Sequence, residues 1–202
     1  MVKIRVFFAV LIFILNFHIL SKAEDIKDFE IEGLSVGSSL LDHFSKKKIE
    51  SSTVSWYDDL EKNRYTSFAF DSPNFEFYDF VDVWTEYNDK KYLIDTIAGV
   101  IYFGKNKPIE DIKDCYQKQK DIVDDLSEMF TEAKIIGPST QKHSSDQSGK
   151  STYTDFYLNV NSEYEIVVAC YDWSKEMLES QNRADHIYVS IRSHELDNWL
   201  GN

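Results

Sequence analysis

The stretch from Pro108 to Phe130 carries apolar residues at helical spacing, and it constrains the fold more tightly than any other part of the chain. Ile109, Ile112, Tyr116, Val123, Leu126 and Phe130 recur at intervals of three, four and seven. Gln119 fills the one gap, and Cys115, Ile122 and Met129 widen the stripe on one side. An apolar face of that width lies on a sheet. Asn106 is placed to cap the N-terminus or lie next to the cap, and Pro108 suits a first turn, where its missing N–H costs nothing. Glu110 and Asp111 complement the positive end of the helix dipole. Gly137-Pro138 is a strong stop beyond the helix.

Cys115 falls in the second turn of this predicted helix. The only other cysteine, Cys170, lies in a downstream run of strand-like character. A bond between them would staple helix to sheet. Closing a loop of 55 residues is worth about 4 kcal/mol in the chain-entropy treatment. The alternatives fit less well. There is no Cys-x-x-Cys redox pair, and two isolated cysteines without a neighbouring histidine make a poor zinc site.

Residues 1–23 read as a secretory signal peptide. Lys3 and Arg5 form a basic start, Val6 to Leu20 is mainly apolar, and Ser21-Lys22-Ala23 offers small residues before a cut ahead of Glu24. The apolar run is shorter than the ~20 residues a spanning helix needs. The expectation is an exported protein, periplasmic or extracellular, in a compartment that favours disulfides, with no stable membrane anchor after cleavage. Cleavage removes the three positive charges of Lys3, Arg5 and Lys22 and takes the formal net charge from −13 to −16. So acidic a domain repels nucleic acid. Aromatic residues make up 15% of the chain, enough to build a core, so the acidity does not imply disorder.

Along the mature chain, residues 24–52 read as a short helical opening. Gly33 and Gly37 supply turns, Ser38 or Ser39 caps a short helix carrying Leu40, Leu41 and Phe44, and Ser45 caps a second through Ile49. Gly33-x-Ser35-x-Gly37 matches a nucleophile elbow in letters only, because no parallel sheet can precede it. Residues 53–202 read as one α+β domain. Tyr65 to Phe70 is a short strand. Phe75 to Tyr87 and Tyr92 to Phe103 form one hairpin, and Thr152 to Val160 and Tyr164 to Trp173 form another. His186 to Arg192 is a last strand, and Ser193 caps a terminal helix. Pro138 to Lys150 reads as a polar loop. The predicted fold is therefore an antiparallel sheet of two hairpins plus a last strand, packed on one long central helix.

The opening Ile31-x-Gly33-x-Ser35-x-Gly37-x-Ser39-Leu40-Leu41-Asp42-x-Phe44 resembles that of an uncharacterised family of small secreted bacterial proteins. Asp114-Cys115-Tyr116, Cys170-Tyr171-Asp172-Trp173-Ser174 and the His143-Ser144 to Ser151-Thr152 segment resemble the same family. The resemblance implies secretion and this architecture, and it carries no activity.

No catalytic, cofactor or metal site is expected. His43, His143, His186 and His194 are scattered and form no His-Glu-x-x-His helix. Gly149-Lys150-Ser151 lacks the first glycine of a phosphate loop, and a strand follows where a helix is required. Three functional readings remain. The first is a non-catalytic interaction or accessory protein with an envelope protein partner. The alternative is a module binding a small ligand or glycan through aromatic residues, with Trp56, Trp84, Tyr171 and Trp173 as candidates. The second alternative is a hydrolase using aspartate or histidine.

Overall fold

The computed structural model describes residues 25–54, 64–71, 74–104 and 109–200. The expected signal peptide, Trp56, Asn106 and Pro108 lie outside the described residues. The architecture is α+β. Eight antiparallel strands form one sheet: β1 (Thr53–Val54), β2 (Tyr65–Phe70), β3 (Phe80–Glu86), β4 (Ile94–Tyr102), β5 (Lys134–Lys142), β6 (Thr152–Asn159), β7 (Tyr164–Asp172) and β8 (His186–Ser193). Four α-helices accompany them: α1 (Lys46–Ser51), α2 (Ile112–Met129), α3 (Lys175–Ser180) and α4 (His194–Leu200). The strand order is β1-β2-β3-β4-β8-β7-β6-β5.

The long helix is shorter than the periodicity predicts, and its cap is a different residue. The Asp111 side chain accepts from the backbone N–H groups of Lys113 and Asp114, and Asp114 returns the bond to the Asp111 backbone. This reciprocal capping box satisfies donors that would otherwise be orphaned at the helix start. The buried line of α2 runs through Cys115, Gln119, Val123 and Leu126. Tyr116, one step around the helix, is 39% exposed. Gln119 is buried for a reason the stripe conceals. Its amide donates to the carbonyls of Thr154 (2.7 Å) and Val168 (2.8 Å), so α2 hydrogen-bonds to two neighbouring strands.

Cys115 and Cys170 are joined by a disulfide. The bond fixes which face of β7 meets α2, because side chains alternate along a strand. Ile166, Val168 and Cys170 point to the helix, together with Leu158 of β6 and Ile187, Val189 and Ile191 of β8 in one core.

The helix covers only part of that face. The N-terminal segment covers the part over β2 to β4 and belongs to the same core through Ile26, Ile31, Leu34, Val36, Leu40 and Ile49. Ser39 and Ser45 cap its short turns, as expected. The backbone N–H groups of Gly37 and Leu40 donate to the carbonyls of Ile94 and Tyr92. Phe44 stacks on Phe70 with ring centroids 4.3 Å apart. Glu32 adds a longer tie: its carboxylate accepts from the consecutive backbone N–H groups of Glu76, Phe77 and Tyr78 at 2.7–2.9 Å. The Tyr78 ring then lies against Gly99 of β4, where a Cβ would come within 2.3 Å of it, so only glycine fits there.

The sheet is larger than two hairpins plus a last strand. Residues 134–142 form β5, where the sequence reading ends a helix at Gly137-Pro138 and starts a loop. Every residue of this edge strand is exposed, so it shows no apolar alternation to read. Pro138 is tolerated because the register shifts between Ile136 and Ser139, at a bulge on an edge.

Removing the disulfide tests the staple. The double variant Cys115→Ser/Cys170→Ser is expected to lose about 4 kcal/mol of unfolding free energy, read from urea denaturation with and without reductant. Reductant should shift the wild-type midpoint and leave the variant unchanged.

Candidate functional site

The parity that turns Cys170 toward α2 turns Glu165, Val167, Ala169 and Tyr171 to the opposite face of the sheet. The register extends this face to Tyr153, Asp155 and Tyr157 on β6 and to His186, Tyr188, Ser190 and Arg192 on β8. One end of the face is closed by α4. Leu196 and Trp199 pack there on Tyr65 and Trp84, and Ser193 caps the helix by accepting from the Leu196 N–H at 3.1 Å.

At the other end, aromatic side chains form a row across four strands. Tyr153 pairs with Tyr171, Tyr171 with His186, and His186 with Tyr102. The Tyr153 and Tyr171 rings stack at 5.6 Å, and Tyr171 and His186 at 4.5 Å. His143 joins from the loop after β5, with its ring 4.3 Å from that of Trp173. That loop is held by Asp146, which accepts from the backbone N–H groups of Ser148 and Ser151 and from the Ser151 hydroxyl. These bonds, the Ser151 side chain first, hold the Asp146 carboxyl well below the usual carboxylate range. Burial pushes the His186 pKa down to about 4. His143 is also lowered, by burial and then by Arg183. Burial thus favours the neutral form of both rings; His186 stacks on Tyr171, and His143 lies tilted against Trp173 and Tyr171. His186 Nδ1–H donates to the Ala184 carbonyl at 2.7 Å, and His143 Nδ1 accepts from the Ser145 N–H at 3.2 Å.

Beside this row lies a groove of about 420 Å³, walled by His143, Tyr153, Tyr157, Tyr171 and Tyr188, with Val167 and Ala169 from β7 also lining it and with Asp155 and Arg192 among its polar groups. This volume falls in the ~300–1,000 Å³ range of small-molecule sites. Tyr157 links the two polar groups. Its hydroxyl donates to Asp155 Oδ2 at 3.1 Å, and the Arg192 guanidinium carbon lies 5.9 Å from its ring centroid. Arg192 also meets Glu165 at 3.1 Å and Asp197 at 2.9 Å.

Asp155 is the least expected residue of the groove. It is 1% exposed, and its Oδ1 has no hydrogen-bond partner among the described residues. Burial raises its pKa above the usual carboxylate value, with Tyr157 and Arg192 working the other way. An unpaired buried acceptor is costly, and it lines a cavity of ligand size.

The four candidate aromatics separate. Tyr171 is central to the row and lines the groove. Trp173 is 6% exposed and backs the row through His143, with the Arg183 guanidinium carbon 5.2 Å from its ring centroid. Trp84 is 5% exposed and belongs to the small core under α4. Trp56 is outside the described residues. Sequence reasoning missed Asp155, Tyr153, Tyr157, Tyr188 and Arg192. The signal was present: they occupy the positions between the core-facing residues of β6 and β8.

Among the described residues, no group of three or more His, Cys, Asp or Glu side chains is placed to hold a metal ion. No helix among them is long and apolar enough to cross a membrane. No family model, curated protein or solved structure matches the chain.

The cost of Asp155 is measurable. Its folded pKa lies above its unfolded value of about 3.9. The native state therefore holds the proton more tightly, and stability falls as pH rises through the unfolded and then the folded value. Asp155→Asn removes that charge. Its thermal midpoint is expected to exceed wild type at pH 7, with the gap closing as pH falls to about 4. A gap that stays constant with pH would show that Asp155 carries no such penalty.

Proposed function

We propose that this chain is an exported, non-catalytic binding protein for a small ligand seated in the Tyr-lined groove. The observation that carries this reading is Asp155, a buried carboxylate with an unpaired oxygen at a cavity lined by aromatic rings. A site that retains a costly polar group next to rigid rings is built as ligand sites are, with an apolar wall and a few placed polar groups. Hydrogen bonds of His143 and His186 to the backbone, rather than to a carboxylate, favour binding over acid–base catalysis. The disulfide supports export, since such bonds persist in oxidising compartments. The test is a protein-observed NMR screen of mixed small molecules against the intact chain. Hits are expected to shift the amides of Ala169 and Tyr188, and Tyr188→Ala should weaken them about tenfold, in line with loss of an aromatic contact surface. Hits that shift only amides remote from β6 to β8 would refute the reading.

A second reading, an accessory protein that pairs with an envelope partner, is favoured by β5. Among the described residues this strand ends the sheet and pairs with β6 alone, and it exposes Ile135 and Ile136 at 42% and 45%. Such an edge can accept a strand. A photo-crosslinker at Ile136 should then capture one recurrent envelope protein in cells, whereas one at the exposed Glu179 of α3 should not.

A further inference from the structure

The polar groups of the groove narrow the class of ligand. Arg192 is already balanced by Glu165 and Asp197. An anionic ligand would approach these two carboxylates and Asp155. A cationic ligand would approach Arg192 and Lys142, which also lines the groove. Like charges in a desolvated site repel strongly, so neither sign of ligand is matched to the site.

Two unpaired atoms remain among the described residues that line it. Asp155 Oδ1 can only accept, and Arg192 Nε–H can only donate. They flank one side chain, Tyr157, which bonds Asp155 through its hydroxyl and faces Arg192 with its ring. A hydroxyl group is both donor and acceptor, so two hydroxyls on adjacent carbons can satisfy both atoms at once without adding charge. The flat C–H faces of a pyranose or furanose ring suit the tyrosine rings of the wall.

We infer that the groove takes a neutral carbohydrate, one hydroxyl donating to Asp155 Oδ1 while a neighbouring hydroxyl oxygen accepts from Arg192 Nε–H. The inference rests on the groove being a ligand site.

The test is an NMR titration of the intact, disulfide-bonded chain with named probes. The sugars are glucose, galactose, mannose, xylose, cellobiose and maltose. The charged probes are putrescine, choline, acetate and inorganic phosphate. At least one sugar is expected to shift the Ala169 and Tyr188 amides. Asp155→Asn should weaken that sugar by roughly tenfold or more, the loss typical of a hydrogen bond to a charged group. Because Asp155→Asn is expected to be the more stable protein, lost binding cannot be ascribed to unfolding. Arg192→Lys, which keeps a cation between Glu165 and Asp197 but has no counterpart of Nε–H, should also weaken it. Groove shifts produced only by charged probes would overturn the carbohydrate inference and leave the groove as a ligand site. Sugar binding unchanged by Asp155→Asn would overturn it as well. Groove amides unmoved by every probe would remove both readings.

Discussion

A single covalent bond ties one face of the sheet to the long helix. Cys115 lies in the first turn of α2 and Cys170 near the end of β7, and their bond settles which parity of the strand meets the helix. Once Cys170 faces inward, Ile166 and Val168 must follow, and the β8 isoleucines with them. Gln119, one helical turn from Cys115, then reaches the carbonyls of two strands. The disulfide and this buried amide act on the same contact from different physics: one limits the unfolded chain, the other satisfies a polar group inside the core.

The groove is the complement of that arrangement. A strand has two faces, and residues not used by the core are presented together on the other side. Large rings at one end and α4 at the other leave the shorter side chains of Val167 and Ala169 between them, and these line the groove. Tall side chains beside short ones make the concavity, so most of its wall stands on the hydrogen-bonded ladder, and the loop after β5 adds His143. A site carried by strands is held more precisely than one carried by loops.

What could be read from the sequence followed the strength of its periodicities. The helix, both hairpins and the cysteine pair stand out because apolar residues repeat at 3.6 or at 2. The helix cap was misplaced because two acids and an asparagine compete before Ile112, and only geometry selects Asp111. Tyr116 was given to the buried face because a stripe one residue to either side has nearly the same spacing. β5 was unreadable as a strand: it exposes every side chain and contains Gly137-Pro138. The groove fell between these cases. The alternation that turns Thr154, Phe156 and Leu158 to one face of β6 puts Tyr153, Asp155 and Tyr157 on the other. Choosing candidates by aromatic type without regard to face also selected Trp84, which α4 buries.

The strand order has a temporal side. β8 lies between β4 and β7, and it joins β1 to β4 with β5 to β7. It is also the last of the eight described strands in sequence order, so the two halves of the sheet remain separate edges until residues 186–193 exist. A chain made from its N-terminus onward cannot close its sheet early. The row from Tyr153 to Tyr102 and the Arg192 side of the groove are assembled in the same late event. Sheet closure and site assembly thus wait on the same eight residues, and a chain interrupted before them holds neither.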